Sequence, residues 1–132
     1  MGSSYELTVH PAYLQLRYQD SLAIFNEWGW EAWTTVGRLC AENGLARVLI
    51  EAPGIEGPPD TMCAFESGRV LAEHTIGISI AVCCTGDKVD ELTMFFKTVA
   101  QNRGVRIEFF SDRETALQWL DVDTGENAAV GR

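Results

Sequence analysis

The sequence predicts one α/β domain with a mixed, mostly parallel sheet of four to five strands and about four helices. The chain has 132 residues, a length typical of one domain. Apolar segments of strand length alternate with amphipathic segments of helix length over residues 5–120. Strands that alternate with helices form parallel sheets through right-handed crossovers, whereas the two strands on either side of His10-Pro11 predict a hairpin.

The strand signal occurs in five places. Residues 13–18, YLQLRY, alternate apolar and polar side chains, as in a half-buried strand. Residues 78–84, ISIAVCC, are almost all apolar, which is typical of a central strand that is buried on both faces. In such a strand the adjacent Cys83 and Cys84 point to opposite faces of the sheet. The five predicted strands cover residues 5–9, 13–18, 47–52, 78–84 and 105–110.

The helix signal occurs in four places. The first helix has Asn26 as its N-cap and ends near Asn43. Gly29 and Gly37 each weaken this helix by about 1 kcal/mol, and both would be useful if another backbone packs closely there. The last helix begins with a capping box formed by Ser111 and Glu114. The two helices between them are predicted over residues 61–75 and 88–103.

Composition and charge exclude several classes of protein. Ten basic against nineteen acidic side chains give a net charge of -9 at pH 7, which lacks the basic footprint of a nucleic-acid binder. No run of about 18 apolar residues predicts a membrane span, and no signal peptide is evident, so the expected location is the cytoplasm. Residues 1–4 resemble a vector-derived start, and residues 121–132 predict a flexible tail.

The sequence predicts no metal site and no cofactor. No CxxC pair occurs, and His10 and His74 lack the spacing of zinc ligands. Neither of two glycine-rich nucleotide-binding motifs, G-x-G-x-x-G and G-x-x-x-x-G-K, is present.

The segment VLIEAPGIEGPPDT, residues 48–61, joins a predicted strand to a predicted helix. Such junctions often hold the sites of α/β proteins. Asp60 and Thr61 are both favoured N-cap residues. Glu51, Glu56 and Asp60 bring three carboxylates to the segment, which leaves acid–base chemistry as one alternative.

Cys63 falls in the first turn of the helix that follows this segment. A catalytic thiol needs a base within hydrogen-bond reach. His74 lies about 16 Å further along the helix by the rise per residue, which excludes a Cys–His pair within this helix. An inert thiol is therefore the simpler interpretation.

Four aromatic residues gather before and within the first helix: Phe25, Trp28, Trp30 and Trp33. Trp28 and Trp33 fall near the apolar stripe of the helix, whereas Trp30 points away from it. An outward tryptophan indicates a contact surface or a pocket wall. The cluster is thus either core or dimer-interface packing, or a pocket for an apolar ligand.

The chain resembles a STAS domain, the fold shared by sulphate transporters and anti-sigma-factor antagonists. The resemblance lies in the β-β-α-β-α-β-α-β-α order, in VLIE followed by a loop and the helix FESGRVLAE, and in FFKTVAQNRGVRIEFFSDRETALQWL at residues 95–120. It covers residues 5–120 and is nearest to small stand-alone bacterial STAS-like proteins of unassigned function. It implies a signalling or protein-binding module.

The resemblance also implies a function for the loop after VLIE. In anti-sigma-factor antagonists the equivalent loop ends in Asp-Ser-Ser-Gly, and a kinase phosphorylates a serine there. In this chain Asp60-Thr61 occupies the Asp-Ser place, while Met62-Cys63 replaces Ser-Gly. Thr61 is therefore the phosphorylation candidate, and Glu56, Asp60, Thr61 and Met62 form the predicted docking loop.

Three functions follow from these features. The first is a non-catalytic interaction or regulatory module that docks a protein partner, or a second copy of itself, through residues 53–62 and the following helix. The second is a small protein that binds an apolar ligand or a lipid against the aromatic cluster at residues 25–33. The third is an enzyme that uses Cys63 or the loop carboxylates.

Overall fold

A computed structural model describes residues 5–22, 24–86 and 89–122, and of Glu27 and Trp28 it describes only the backbone. These residues form a five-stranded mixed sheet and four helices, which confirms the predicted α/β class. The strands are β1 (Tyr5–Val9), β2 (Leu14–Tyr18), β3 (Arg47–Ala52), β4 (Ser79–Cys84) and β5 (Arg106–Phe110). The helices are α1 (Glu27–Asn43), α2 (Thr61–Thr75), α3 (Glu91–Asn102) and α4 (Arg113–Leu120).

The order of the strands in the sheet follows the order in the chain, β1-β2-β3-β4-β5. The hairpin β1–β2 is antiparallel, with Leu7 opposite Leu16, and the other neighbours are parallel. Helices α1, α2 and α3 each connect adjacent parallel strands and pack on one face of the sheet. Helix α4 follows the last strand and packs on the opposite face, against β3 and β4.

Alternate side chains of the central strands β3 and β4 enter two separate apolar clusters. The larger cluster lies between the sheet and α1–α3, and its fully buried members include Leu16, Trp33, Ile50, Leu71 and Phe96. The smaller cluster lies under α4 and contains Tyr13, Leu49, Ala81, Cys83, Ala116, Leu117 and Leu120. Cys84 belongs to the larger cluster, so the predicted opposition of Cys83 and Cys84 is confirmed.

Side-chain caps determine where the helices begin. Four residues each accept a hydrogen bond from the backbone N–H three positions further on: Asn26, Asp60, Asp90 and Asp112. Two predicted starts are wrong. Helix α3 begins at Glu91 rather than at residue 88, because Asp90 caps it. Helix α4 begins at Arg113 because Asp112, and not the Ser111 capping box, accepts from Thr115 N at 2.8 Å.

Glycines let the helices approach one another closely. A Cβ added at Gly37 would lie less than 3.0 Å from the carbonyl oxygen of His74 in α2. A Cβ added at Gly68 would lie 2.8 Å from Cγ1 of Val99 in α3. Gly37 therefore lies where the backbone of α2 comes close to α1, and Gly68 lies where α3 comes close to α2.

The predicted vector-derived start, residues 1–4, lies outside the described residues, and so does most of the predicted tail. Asp121 ends α4 in the left-handed conformation, with φ of 61°, and Val122 packs against the smaller cluster. Residues 123–132 are not described. Among the helices that the structure does describe, none has the length and apolar character needed to cross a membrane.

Candidate functional site

The loop between β3 and α2, residues 53–60, is fixed to the segment that follows β2. The backbone N–H of Leu22 donates to Gly54 O at 2.7 Å, and Leu22 O accepts from Glu56 N at 3.0 Å. Leu22 and Ile55 thus form an isolated parallel bridge. Pro58 is buried. Backbone bonds at Gly54 and Glu56 and the burial of Pro58 therefore anchor the loop, although most of it lies at the surface.

The four residues of the predicted docking loop lie at the surface, in the loop and in the first turn of α2. Glu56, Asp60, Thr61 and Met62 are all exposed, and Met62 is exposed by 66%. Oδ1 of Asp60 accepts from Cys63 N at 2.8 Å, which confirms Asp60 as the N-cap of α2. The first turn of α2, which the structure describes in full, carries no acidic side chain. Its partial positive charge therefore meets the Asp60 carboxylate at the cap.

Cys63 is half-buried beneath this first turn. Its Sγ donates to Phe25 O at 3.3 Å and lies 4.0 Å from Ser67 Oγ. Ser67 Oγ in turn accepts from Trp30 Nε1 at 3.1 Å. These contacts connect α2 to α1 and to the segment before α1. His74 lies at the opposite end of α2, so the thiol has a carbonyl and a hydroxyl group as its neighbours.

The described members of the aromatic cluster pack inside the domain. The Phe25 ring is buried and packs edge-on against Phe96, with ring centroids 4.9 Å apart. Trp33 is buried to 1% exposure. Trp30 is half-buried rather than outward, because its ring packs against the larger apolar cluster and its N–H group donates to α2. The side chain of Trp28 lies outside the described structure.

A second group of polar residues, which the sequence interpretation missed, lies on the α4 face of the sheet. Glu51, with 16% of its side chain exposed, lies at the centre. Its Oε1 accepts from Gln15 Nε2 at 2.5 Å, and Gln15 Oε1 is hydrogen-bonded with His10 Nε2 at 2.7 Å. The guanidinium groups of Arg17 and Arg113 flank the carboxylate at 3.7 and 3.5 Å.

This group opens into a depression of about 240 Å³ at the carboxyl ends of β2, β3 and β4. Its lining consists of Arg17, Tyr18, Glu51, Ala52, Pro53, Cys83, Thr85 and Arg113. Burial, and then the charges of Glu51 and Asp112, raise the pKa of Cys83 above its ordinary value of 9.0, so the thiol is protonated near neutral pH. The lining carries two guanidinium groups, those of Arg17 and Arg113, and one carboxylate, that of Glu51, and both guanidinium groups lie against that carboxylate.

The structure separates the three carboxylates that the sequence groups around the loop. Glu51 points to the α4 face, because its neighbour Ile50 points into the larger cluster and successive strand residues alternate. Asp60 caps α2, which packs on the other face. The sequence holds one part of the signal for the Glu51 group, because Gln15 and Arg17 are polar positions two residues apart in β2. The other part, the register that pairs Arg17 with Glu51, comes from the fold.

No protein-family model matches this sequence, and no curated protein matches it significantly. The α/β fold and the two surfaces described above are therefore the basis for any statement about function.

Proposed function

We propose that the protein is a non-catalytic interaction or regulatory module of STAS-like type, which acts in the cytoplasm and docks a protein partner through residues 53–62 and the start of α2. Met62 carries the proposal, because it is an apolar side chain exposed by 66% in the first turn of a helix. The loop before it is fixed by backbone hydrogen bonds. A preformed surface loses little conformational entropy when a partner binds.

The free energy available from Met62 supports docking of moderate strength. Full burial of a methionine side chain is worth roughly 1.5–3 kcal/mol. Covering the exposed two-thirds of Met62 would therefore contribute about 1–2 kcal/mol, which corresponds to about tenfold in affinity. The rest of the affinity would come from the polar rim formed by Glu56 and Asp60, both of which are exposed.

Thr61, beside Met62, supports a switch of the docking surface. Phosphorylation adds roughly -1.5 to -2 charge at pH 7. At the start of α2 this charge would face the Asp60 carboxylate, which already accepts the backbone bond from Cys63. A docked partner would also have to desolvate the phosphate. Phosphorylation of Thr61 is therefore expected to release the partner.

The experiment compares two exposed apolar positions on the same helical segment. Met62 and Ile76 are exposed by 66% and 67%, at the start and just beyond the end of α2. A photo-crosslinking amino acid replaces one or the other in the full chain, which is then irradiated in extract of the native host. We expect a defined adduct from position 62 that is lost with Thr61→Glu and retained with Thr61→Ser. Identical adducts from both positions, or none from position 62, would refute the proposal.

The two alternatives gain no support from the described contacts. Phe25 and Trp33 pack within the domain, and Trp30 donates to Ser67, so these side chains are used by the core. The Cys63 thiol donates to a backbone carbonyl, which is a structural contact.

A further inference from the structure

Strand β1 forms one edge of the sheet and pairs with β2. Its five residues, YELTV, contain neither proline nor lysine, and their register with β2 runs without a bulge. Proline, lysine and bulges are devices that keep an edge strand from pairing with another chain. Within the part of the chain that the structure describes, β1 has none of these three devices and Glu6 is its one charged side chain, so its outer backbone groups can pair with an additional strand.

The hairpin geometry shows which backbone groups face this open edge. His10 N donates to Tyr13 O at 2.9 Å, so this pair is hydrogen-bonded. Opposite residues of an antiparallel ladder alternate between hydrogen-bonded and non-bonded pairs. By this alternation the pairs Thr8–Gln15 and Glu6–Arg17 are also hydrogen-bonded, so Thr8 and Glu6 bond to β2. The N–H and C=O groups of Tyr5, Leu7 and Val9 therefore point away from the sheet.

The side chains of the same three residues form an incompletely covered apolar row. Tyr5, Leu7 and Val9 lie opposite Tyr18, Leu16 and Leu14, which belong to the larger cluster. Tyr5 and Leu7 are only half-buried, and Val9 is exposed by 45%. A strand added beside β1 would cover this row from the side.

We infer that a second copy of this chain occupies the edge, with the two β1 strands antiparallel about a two-fold axis at Leu7. In this register Tyr5 stands opposite Val9 and Leu7 opposite its own symmetry mate. The outward N–H and C=O groups of one β1 strand lie opposite those of the other. Each strand therefore donates three backbone hydrogen bonds to the other and accepts three. Glu6 stands opposite Thr8, so no carboxylates oppose each other.

The other edge of the sheet does not have this self-complementarity. A two-fold axis at the centre of β5 would place Glu108 opposite its own symmetry mate. Like charges directly opposite each other destabilise an antiparallel pair. The apolar–polar–apolar–polar–apolar pattern of β1 places no like charges opposite each other, which favours β1 over β5 as the edge that pairs with a second copy.

Thr8 provides the test, because it is exposed and its side chain lies on the face opposite the apolar row. Sedimentation equilibrium of the full chain over a wide concentration range should show a mass that rises toward twice 14.6 kDa. Thr8→Glu adds a carboxylate opposite Glu6 at two symmetric places and should weaken the dimer several-fold. Thr8→Lys should strengthen it, and Thr8→Gln, the neutral control, should resemble the wild type.

Hydrogen exchange gives a second measurement at single residues. The amides of Tyr5, Leu7 and Val9 should be protected only at concentrations where the dimer forms, whereas those of Glu6 and Thr8 should be protected throughout. A mass of 14.6 kDa at all concentrations overturns the inference. So does a dimer that is indifferent to the Thr8 substitutions and leaves those three amides unprotected. The loop at residues 53–62 takes no part, so either proposal can fail while the other stands.

Discussion

Replacement of Gly37 by alanine tests how much the close packing of α1 on α2 contributes to the stability of the fold. The new methyl group would lie less than 3.0 Å from the His74 carbonyl oxygen, where ordinary contact requires at least 3.4 Å. Because the contacted atom belongs to a helix backbone, no side chain can rotate away. The two helices must therefore separate.

Two opposing free-energy terms determine the size of the effect. Alanine gains about 1 kcal/mol over glycine in a helix interior. Forcing a methyl group into a packed interface costs typically 1–3 kcal/mol, occasionally more. A backbone contact belongs at the upper end of this range, so we expect a net loss of about 1–2 kcal/mol in the free energy of unfolding. Separation would also stretch the Trp30–Ser67 hydrogen bond, which is 3.1 Å long.

Urea unfolding followed by circular dichroism measures this loss. The matched control is Ala41→Gly, at an exposed position of the same helix, which isolates the helix-propensity term. The control should lose up to about 1 kcal/mol. If Gly37→Ala instead gains the amount that the control loses, the methyl group meets no obstacle and the close packing of α1 on α2 is not as described.

The α4 face of the sheet provides three further tests. Glu51→Leu should cost about 1–3 kcal/mol because it leaves the buried Gln15 amide unpaired, and Gln15→Leu in the same chain should recover part of this in a double-mutant cycle. Backbone and hydroxyl hydrogen bonds from Thr115 lower the pKa of Asp112 in the folded protein. The ionised carboxylate therefore stabilises the fold at pH values above the unfolded pKa. This stabilisation is lost as the pH falls through the folded pKa. The stability gap between wild type and Asp112→Asn should therefore narrow below about pH 3.8; a constant gap would contradict the assigned cap. Cys83, buried to 1% exposure and with a raised pKa, should react with iodoacetamide only after unfolding, as mass spectrometry of the peptides would show.

Local signals were sufficient for the element order because alternation and capping act within a few residues. Helix α2 has the predicted bounds, since Asp60 precedes its first turn. The start of α3 was misplaced because an apolar residue at position 89 extends the helical pattern beyond the cap at Asp90. At α4, Ser111 and Asp112 are adjacent and both are favoured N-caps. Only the backbone geometry decides between them, and it selects Asp112.

The polar group on the α4 face was harder to predict because it depends on strand register. Gln15 and Glu51 are 36 positions apart, and they meet because β2 and β3 are adjacent and pair Arg17 with Glu51. No local pattern contains that register. Trp30 shows the same limit on a helix: its place in the helical pattern predicts an outward ring, but α2 packs beside α1 and gives its indole N–H a partner in Ser67.

The two proposed surfaces lie apart in the fold, and this separation has a measurable consequence. β1 is an edge strand, whereas the docking loop follows β3, and β2 lies between these strands. A dimer joined through β1 would therefore present two docking loops related by a two-fold axis. A partner that is itself two-fold symmetric would engage both loops and gain affinity through effective concentration, whereas a monomeric partner would not. Thr8→Glu should then weaken binding of a dimeric partner alone, while Thr61→Glu should weaken binding of both kinds. Equal loss of both partners with Thr8→Glu would mean that the β1 edge and the loop are not independent surfaces.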